Sequence, residues 1–249
     1  MHIQLIRSAT LRFNYAQKDF LIDPYLAARH TRPSFTGRSP NPLVDLPCSP
    51  QEVIAGIEMA LISHLHSDHF DPAAQELLPK DLPLLCQPED KAAIESKGFR
   101  NVIPIAREII WQGITITRTP CQHGTGDVLE DMGNASGFVF SAENQPTVYW
   151  TGDTIWCEAV ANIISQTRPE IIITHSCGAQ WGDHVLIVMD AEQTIAVCRA
   201  SLNSTVIAVH MESLDHATVT RAALREFAQA NGIGPGKLVI PLDGEKIIF

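Results

Sequence analysis

Short apolar runs, broken at close intervals by polar turns, fill the first half of the chain. Stretches with helical spacing alternate with such runs in the second half. His2 to Asp23 reads as three short strands. Within it, Leu11-Arg12-Phe13 and Phe20-Leu21-Ile22 flank the polar turn Ala16-Gln17-Lys18-Asp19, the pattern of a hairpin. Met59-Ala60-Leu61-Ile62 and Leu82-Pro83-Leu84-Leu85-Cys86 read as buried strands. Residues 101–120 give further strands, and Ile114-Thr115-Ile116-Thr117 carries the strongest strand composition. Strands are predicted again at 136–141, 147–151, 170–174 and 205–209, with two short ones at the end.

Helices are predicted between these groups. One covers 50–54 behind Ser49 as N-cap, and one covers 72–79 behind Asp71-Pro72, an N-cap and first helical residue. A third covers 88–97 and is closed by Gly98. Others lie near 157–166, from 191 to 200 behind Asp190, and over 217–230. Strands in runs with helices between the groups favour two packed sheets flanked by helices over a doubly wound sheet. The chain of 249 residues suits one domain over 1–249, large enough for a sizeable core.

Residues 24–50 interrupt this rhythm. They hold six of the 16 prolines and gather Arg29, His30, Arg32 and Arg38. Proline-rich loops within compact domains are commonly lids or arms. The expectation is a cover over the functional site, with Arg32 and Arg38 holding an anionic substrate. Packing on the surface or against another subunit is the alternative.

Hydrophobic residues at 45% and charged residues at 18% describe an ordinary globular protein. A net charge of −10 repels phosphate backbones, so nucleic acid is not an expected partner. The first residues lack the basic and apolar regions of a signal peptide, and no apolar run is long enough to span a bilayer. The six cysteines are scattered without a Cys-x-x-Cys pair and read as reduced thiols. A cytoplasmic location, no membrane partner and a small-molecule substrate are therefore expected. A homo-oligomer is compatible with the sequence.

The chemistry concentrates in Ile62-Ser63-His64-Leu65-His66-Ser67-Asp68-His69, directly after an apolar strand. In extended chain His64 and His66 point the same way, and the bend before Asp71-Pro72 lets Asp68 and His69 converge nearby. Two neighbouring metal ions would explain so dense a set of N and O donors. His-x-His-x-Asp-His after a strand resembles the signature of the metallo-β-lactamase-fold hydrolases. The resemblance implies an αββα sandwich, an α/β (α+β) fold with four layers. It also implies further ligands downstream: a lone His, a bridging Asp and a final His.

Each has a match at the end of a predicted strand. Thr119-Pro120-Cys121-Gln122-His123-Gly124 supplies His123, Thr151-Gly152-Asp153-Thr154 supplies Asp153, and Val206-Ile207-Ala208-Val209-His210 supplies His210. The implied set is His64, His66 and His123 on one metal and Asp68, His69 and His210 on the other, with Asp153 bridging. Five imidazoles and two carboxylates suit two divalent ions, zinc best, while manganese and iron accept the same set. His175 ends another strand and is a candidate for contact with a ligand or with substrate. His184 and Asp183 could line a pocket wall. Glu212 and His216 could orient a ligand or donate a proton to a leaving group.

Two cations around a shared water lower its pKa and give a hydroxide at neutral pH. Asp68 then has a second, catalytic role in shuttling the proton. No Gly-x-Ser-x-Gly elbow signals a protein nucleophile. The opening strands with Leu21-Ile22-Asp23-Pro24, and Met189-Asp190-Ala191-Glu192, resemble the ascorbate-6-phosphate lactonase-like branch. That resemblance implies hydrolysis of a lactone or ester in a small, anionic molecule. A small-molecule or lipid-headgroup phosphodiesterase is the alternative enzyme, and a non-catalytic metal-dependent binding or sensing protein is the alternative of another class.

Overall fold

The computed structural model describes residues 1–249 throughout. In chain order the elements open with β1 (His2–Arg7), β2 (Thr10–Tyr15), β3 (Lys18–Ile22), α1 (Pro50–Ile54) and β4 (Met59–Ile62). Next come α2 (Pro72–Leu77), β5 (Leu84–Cys86), α3 (Lys91–Glu95), β6 (Val102–Pro104), β7 (Glu108–Trp111) and β8 (Ile114–Pro120). The middle holds α4 (Val128–Met132), β9 (Ser136–Ser141), β10 (Val148–Trp150), α5 (Glu158–Thr167) and β11 (Ile171–His175). The remainder is β12 (Gln180–Trp181), β13 (Val185–Leu186), α6 (Ala191–Ala200), β14 (Thr205–Val209), α7 (Arg221–Ala230), β15 (Leu238–Val239) and β16 (Lys246–Ile248).

Two seven-stranded sheets result, in the orders β16-β1-β2-β3-β4-β5-β6 and β15-β14-β11-β10-β9-β8-β7. Side chains alternate between faces along each strand, and that alternation builds the layers. Met59 and Leu61 of β4, Val148 and Trp150 of β10, Ile171 and Ile173 of β11, and Ile207 and Val209 of β14 all enter one buried cluster between the sheets. Their neighbours face outward. Ala60 and Ile62 join Val53 of α1, Ala74 of α2 and Ile94 of α3. Tyr149, Ile172, Val206 and Ala208 join Val160 of α5, Ile195 of α6 and Leu224 of α7. This is the expected αββα sandwich.

Directionality places the functional edge. β3 through β6 run parallel, as do β10, β11, β14 and β15. β9 is antiparallel to both β8 and β10, so β8 shares the direction of β10. The C-terminal ends of β8, β10, β11 and β14 therefore leave the second sheet at one edge. There they meet the loop that follows β4.

Several expected boundaries shift for local reasons. α2 stops at Leu77, because Leu78 precedes Pro79 and takes an extended conformation (ψ 136°). The helix expected over 217–230 starts at Arg221, where the Thr220 side chain accepts from the N–H of Ala223. Residues 218 and 219 instead donate their N–H groups to the carbonyl of Cys177. The expected helix over 88–97 divides into a 3₁₀ turn, Pro88–Asp90, and α3.

Residues 24–50 are an ordered arm packed on the sandwich. The Arg7 guanidinium is fully buried and donates to the carbonyls of Tyr25, Ala27 and Val44, lying 4.8 Å over the Tyr25 ring. The outer part is fastened from the opposite end of the sequence. The Asp215 carboxylate accepts from Phe35 N–H (3.0 Å), Thr36 N–H (3.1 Å) and Asn41 Nδ2 (3.0 Å), and from the hydroxyls of Ser34 and Thr36. These bonds hold the Asp215 carboxyl well below the usual carboxylate range, although burial alone pushes it upward. A depressed carboxyl contributes stability that is present above the unfolded value near 4 and lost as pH falls below it. Asp215→Asn is therefore expected to free the arm at neutral pH. Limited proteolysis should cut within 33–41 at least several-fold faster than in wild type, and wild type itself should approach that rate only in acid.

Candidate metal centre

Four loops and one strand end deliver the centre. The turn after β4 carries His64, His66, Asp68 and His69, and closes on Asp71. Asp71 caps α2 through the N–H groups of Ala73 and Ala74, and also accepts from Leu26 N–H (2.8 Å). His123 follows β8. Asp153 follows β10 through Gly152, whose φ of +67° and whose contact with the Ser136 carbonyl, 2.5 Å from an added Cβ, admit only glycine. His175 ends β11. His210 follows β14 in the left-handed region (φ +68°), a conformation uncommon outside glycine, and donates its N–H to the carbonyl of Ser8 (2.9 Å).

The seven residues implied as ligands come together. His64, His66 and His123 form one cluster, and Asp68, His69 and His210 form another, each with donor atoms within 4.8 Å of one another. Asp153 lies between them with its two oxygens turned to different sides. Oδ2 is 3.1 Å from His69 Nε2, 3.6 Å from His123 Nε2 and 4.0 Å from His64 Nε2, while Oδ1 is 3.7 Å from His210 Nε2. Asp68 Oδ2 is 3.5 Å from His69 Nε2 and 3.4 Å from His210 Nε2.

Neighbouring groups fix the tautomers. His69 Nδ1 donates to Asp23 Oδ2 at 2.6 Å, and His123 Nδ1 donates to the Ile187 carbonyl at 2.8 Å. Ser63 donates its hydroxyl to Asp23 Oδ2 (2.7 Å), so its oxygen is left to accept from His64 Nδ1 (2.8 Å). Each of these three rings therefore turns an Nε2 lone pair inward, the orientation a metal ligand requires. His64 Nε2 faces His66 Nδ1 at 2.9 Å, and His69 Nε2 faces His210 Nε2 at 3.2 Å. Converging nitrogen lone pairs beside carboxylates fit divalent cations.

The electrostatics agree with that fit. Burial, together with the neighbouring imidazoles His69 and His66, pushes His64 well below its ordinary value, and burial pushes His123 down to about 4. Burial also pulls His69 downward, but Asp153, Asp68 and Asp23 outweigh it and raise the ring to about 10. Burial pushes Asp68 upward, yet His69 and His210 outweigh it and hold the carboxyl far below its ordinary value. A proton and a cation compete for the same His69 lone pair, so metal uptake releases protons.

His175 belongs to the interior of the centre. It is fully buried, its Nδ1 donates to Asp153 Oδ1, and its Nε2 has no protein partner. Over the donors lies a cavity of about 270 Å³ walled by Phe35, Leu65, Met132, Trp181 and Ile187. His66, Ser67, Asp68, His123, Asp131, Asp153 and His216 supply its polar lining. His216 packs edge-on against Phe35 with ring centroids 4.7 Å apart. Arg32 and Arg38 do not reach this cavity. The Arg32 backbone pairs with Asn41, and Arg38 is tied to the Thr36 hydroxyl (3.0 Å) and to the Asp215 carbonyl. Glu212 is engaged elsewhere, accepting from Arg221.

Three participants escape a reading of the sequence. Asp23 is the orienting carboxylate of the centre, and its visible signal is a lone Asp between a buried strand and Pro24. Asp131 and Met132 reach the cavity from α4, a single short turn of helix with no apolar period of its own.

The profile of the β-lactamase superfamily domain matches residues 18–211. The chain belongs to the β-lactamase superfamily. With its convergent His and Asp donors, it is a metal-dependent hydrolase of that superfamily. Within the superfamily it is 36% identical to the UPF0173 protein YddR of Bacillus subtilis, with 100% of both chains covered. It is also similar to the crystal structure of an isothiocyanate hydrolase from Delia radicum gut bacteria. There the identity is 37% and the TM-score 0.95, with 100% of this chain and 99% of that one covered. A Veillonella parvula structure described as a possible metal-dependent hydrolase gives 33% identity and a TM-score of 0.96, again over 100% of this chain and 99% of that one.

Proposed function

We propose that this protein is a binuclear metal-dependent hydrolase acting on a small molecule that presents a neutral electrophilic carbon, with an isothiocyanate as the leading substrate class. The observation that carries this reading is the cavity over the donor atoms, which has apolar walls, three carboxylates and no Lys or Arg. Such a lining seats an uncharged apolar group and offers a phosphodiester no cationic side chain. The end-to-end similarity to an isothiocyanate hydrolase supports the same class. A lactone or ester carbonyl, implied by the lactonase-like resemblance, is the second reading. The donor set favours it equally, because it selects an electrophilic carbon without distinguishing C=O from C=S.

His64, His66 and His123 would hold one cation and Asp68, His69 and His210 the other, with Asp153 shared; zinc suits these donors best. Bound there, the two ions supply Lewis-acid activation of water and of the electrophile. The protein supplies placement and proton transfer. Phe35, Met132 and Trp181 shield the reacting carbon from bulk solvent. Water adds its oxygen to the central carbon of R–N=C=S, and the nitrogen takes a proton. Cleavage of the C–N bond then releases the amine and carbonyl sulfide. Asp68, in the cavity wall, is placed to accept the proton lost by water and return it to the departing nitrogen. His216, which burial holds neutral and whose Nδ1 has no protein partner, is a second group able to move that proton.

The test is turnover of benzyl isothiocyanate by zinc- and manganese-loaded protein, followed as benzylamine release. γ-Lactone, p-nitrophenyl ester and bis-p-nitrophenyl phosphate are run alongside. Chelator-sensitive amine release exceeding turnover of the other three is expected. Phosphodiester turnover with no amine release would overturn the reading.

A further inference from the structure

The cavity over the donors has a larger neighbour toward the arm. Phe35, Trp181 and His216 form a wall common to it and to a second cavity of about 660 Å³ that lies farther along the arm. The two differ in composition. Asp68, Asp131 and Asp153 line the inner one together with His66 and His123, and it has no Lys or Arg. Around the outer one stand Arg38, His184, Gln180, Thr36 and Thr218, with no carboxylate side chain in its lining. In a chain of net charge −10, a cavity with a guanidinium and two imidazoles but no acid is a local exception.

The cation in that cavity is held in place. Arg38 Nε donates to Thr36 Oγ1 at 3.0 Å, and Nη2 donates to the backbone carbonyl of Asp215. Both acceptors are neutral, and the Asp215 carboxylate, which accepts from the same Thr36 hydroxyl, forms no ion pair with the guanidinium. Across the cavity, His184 sits at the turn between β12 and β13 in the left-handed region (φ +62°), with Nδ1 3.2 Å from Gln180 Oε1. Arm and hairpin thus offer hydrogen-bond donors to one space. A donor-rich chamber with a guanidinium, next to one with apolar walls and no Lys or Arg side chain, sorts a ligand by its two ends.

We infer that the outer cavity is a subsite for an anionic tail. The physiological substrate is then a two-ended small molecule, with a neutral electrophilic head in the inner cavity and a carboxylate, sulfonate or phosphate against Arg38. The identity of the head rests on the function proposed above. The tail subsite rests on the outer cavity alone.

Binding of unreactive probes tests the subsite without requiring turnover. Calorimetry on the metal-loaded protein compares 4-phenylbutane-1-sulfonate with 4-phenylbutan-1-ol, which share an apolar body and differ in terminal charge. The sulfonate should bind roughly twofold to fivefold tighter, the scale of one solvent-accessible ion pair, and the difference should shrink in high salt. His184→Glu sets a carboxylate at the exposed turn, away from the arm and the metal donors, and should erase the preference. Equal affinity for the two probes in wild type overturns the inference. So does a sulfonate preference that survives His184→Glu, since the anion would then be seated on the metal centre. Absence of amine release from benzyl isothiocyanate would sink the proposed head chemistry and leave both of these outcomes readable.

Discussion

Asp153→Asn is expected to lower turnover by about 10³-fold or more, equivalent to about 4 kcal/mol of lost transition-state stabilisation. The side chain keeps its shape, so folding is not the cause. Asp153 is buried, and its two oxygens face His64, His69 and His123 on one side and His175 and His210 on the other. The amide removes the only negative charge placed between the two donor clusters and offers a single oxygen. Two cations held without that charge repel each other through a low-dielectric interior. The measurement is turnover together with metal content and melting temperature. The expected signature is lost turnover and lost metal with the fold intact. A variant that keeps its metal and at least a tenth of wild-type turnover would remove Asp153 from its bridging role.

Asp23→Ala should have the next largest effect, although Asp23 touches none of the space where substrate would sit. Its carboxylate accepts from Ser63 N–H (2.8 Å), Ser63 Oγ (2.7 Å) and His69 Nδ1 (2.6 Å), and it is fully buried. Removing it frees the His69 tautomer and strands three buried donors. An orienting carboxylate of this kind is worth about 10- to 100-fold in metal affinity. The stranded donors add about 1–3 kcal/mol each at most to the destabilisation. Zinc titration against a competing chelator should show the affinity loss, and Asp23→Asn should recover part of it by still accepting from Ser63. Wild-type zinc affinity in Asp23→Ala would show that His69 is oriented by other means.

The donors were legible because each follows a strand: Ile62, Pro120, Trp150 and Val209 end the strands before the first donors, and all but the alternating β8 are continuous apolar runs. Parallel strands in a layered sheet bring such positions to one edge, so spacing along the chain became proximity in space. The four layers were legible for the same reason, since Met59 and Ala60, or Ile171 and Ile172, divide between inner and outer clusters by simple alternation. Less could be read where partners are remote in sequence. Asp23 meets His69 across 46 positions, and Asp215 meets Phe35 across 180, and no local pattern announces either bond. The cavity walls come from α4 and the β12–β13 hairpin, whose two-residue strands are too short for a period of two to register. Arg38 was read as a substrate contact over the centre; the structure puts it one cavity farther out, because Asp215 folds the arm back before the side chain reaches the donors.

Seven side chains on four loops are proposed to hold two cations. Elemental analysis of protein purified without a metal-chelating column, then dialysed against zinc, addresses it directly. About two equivalents of metal per chain are predicted, with both lost to chelator and both restored by added zinc along with turnover. One equivalent or fewer, unchanged when zinc is supplied in excess, would contradict the binuclear account.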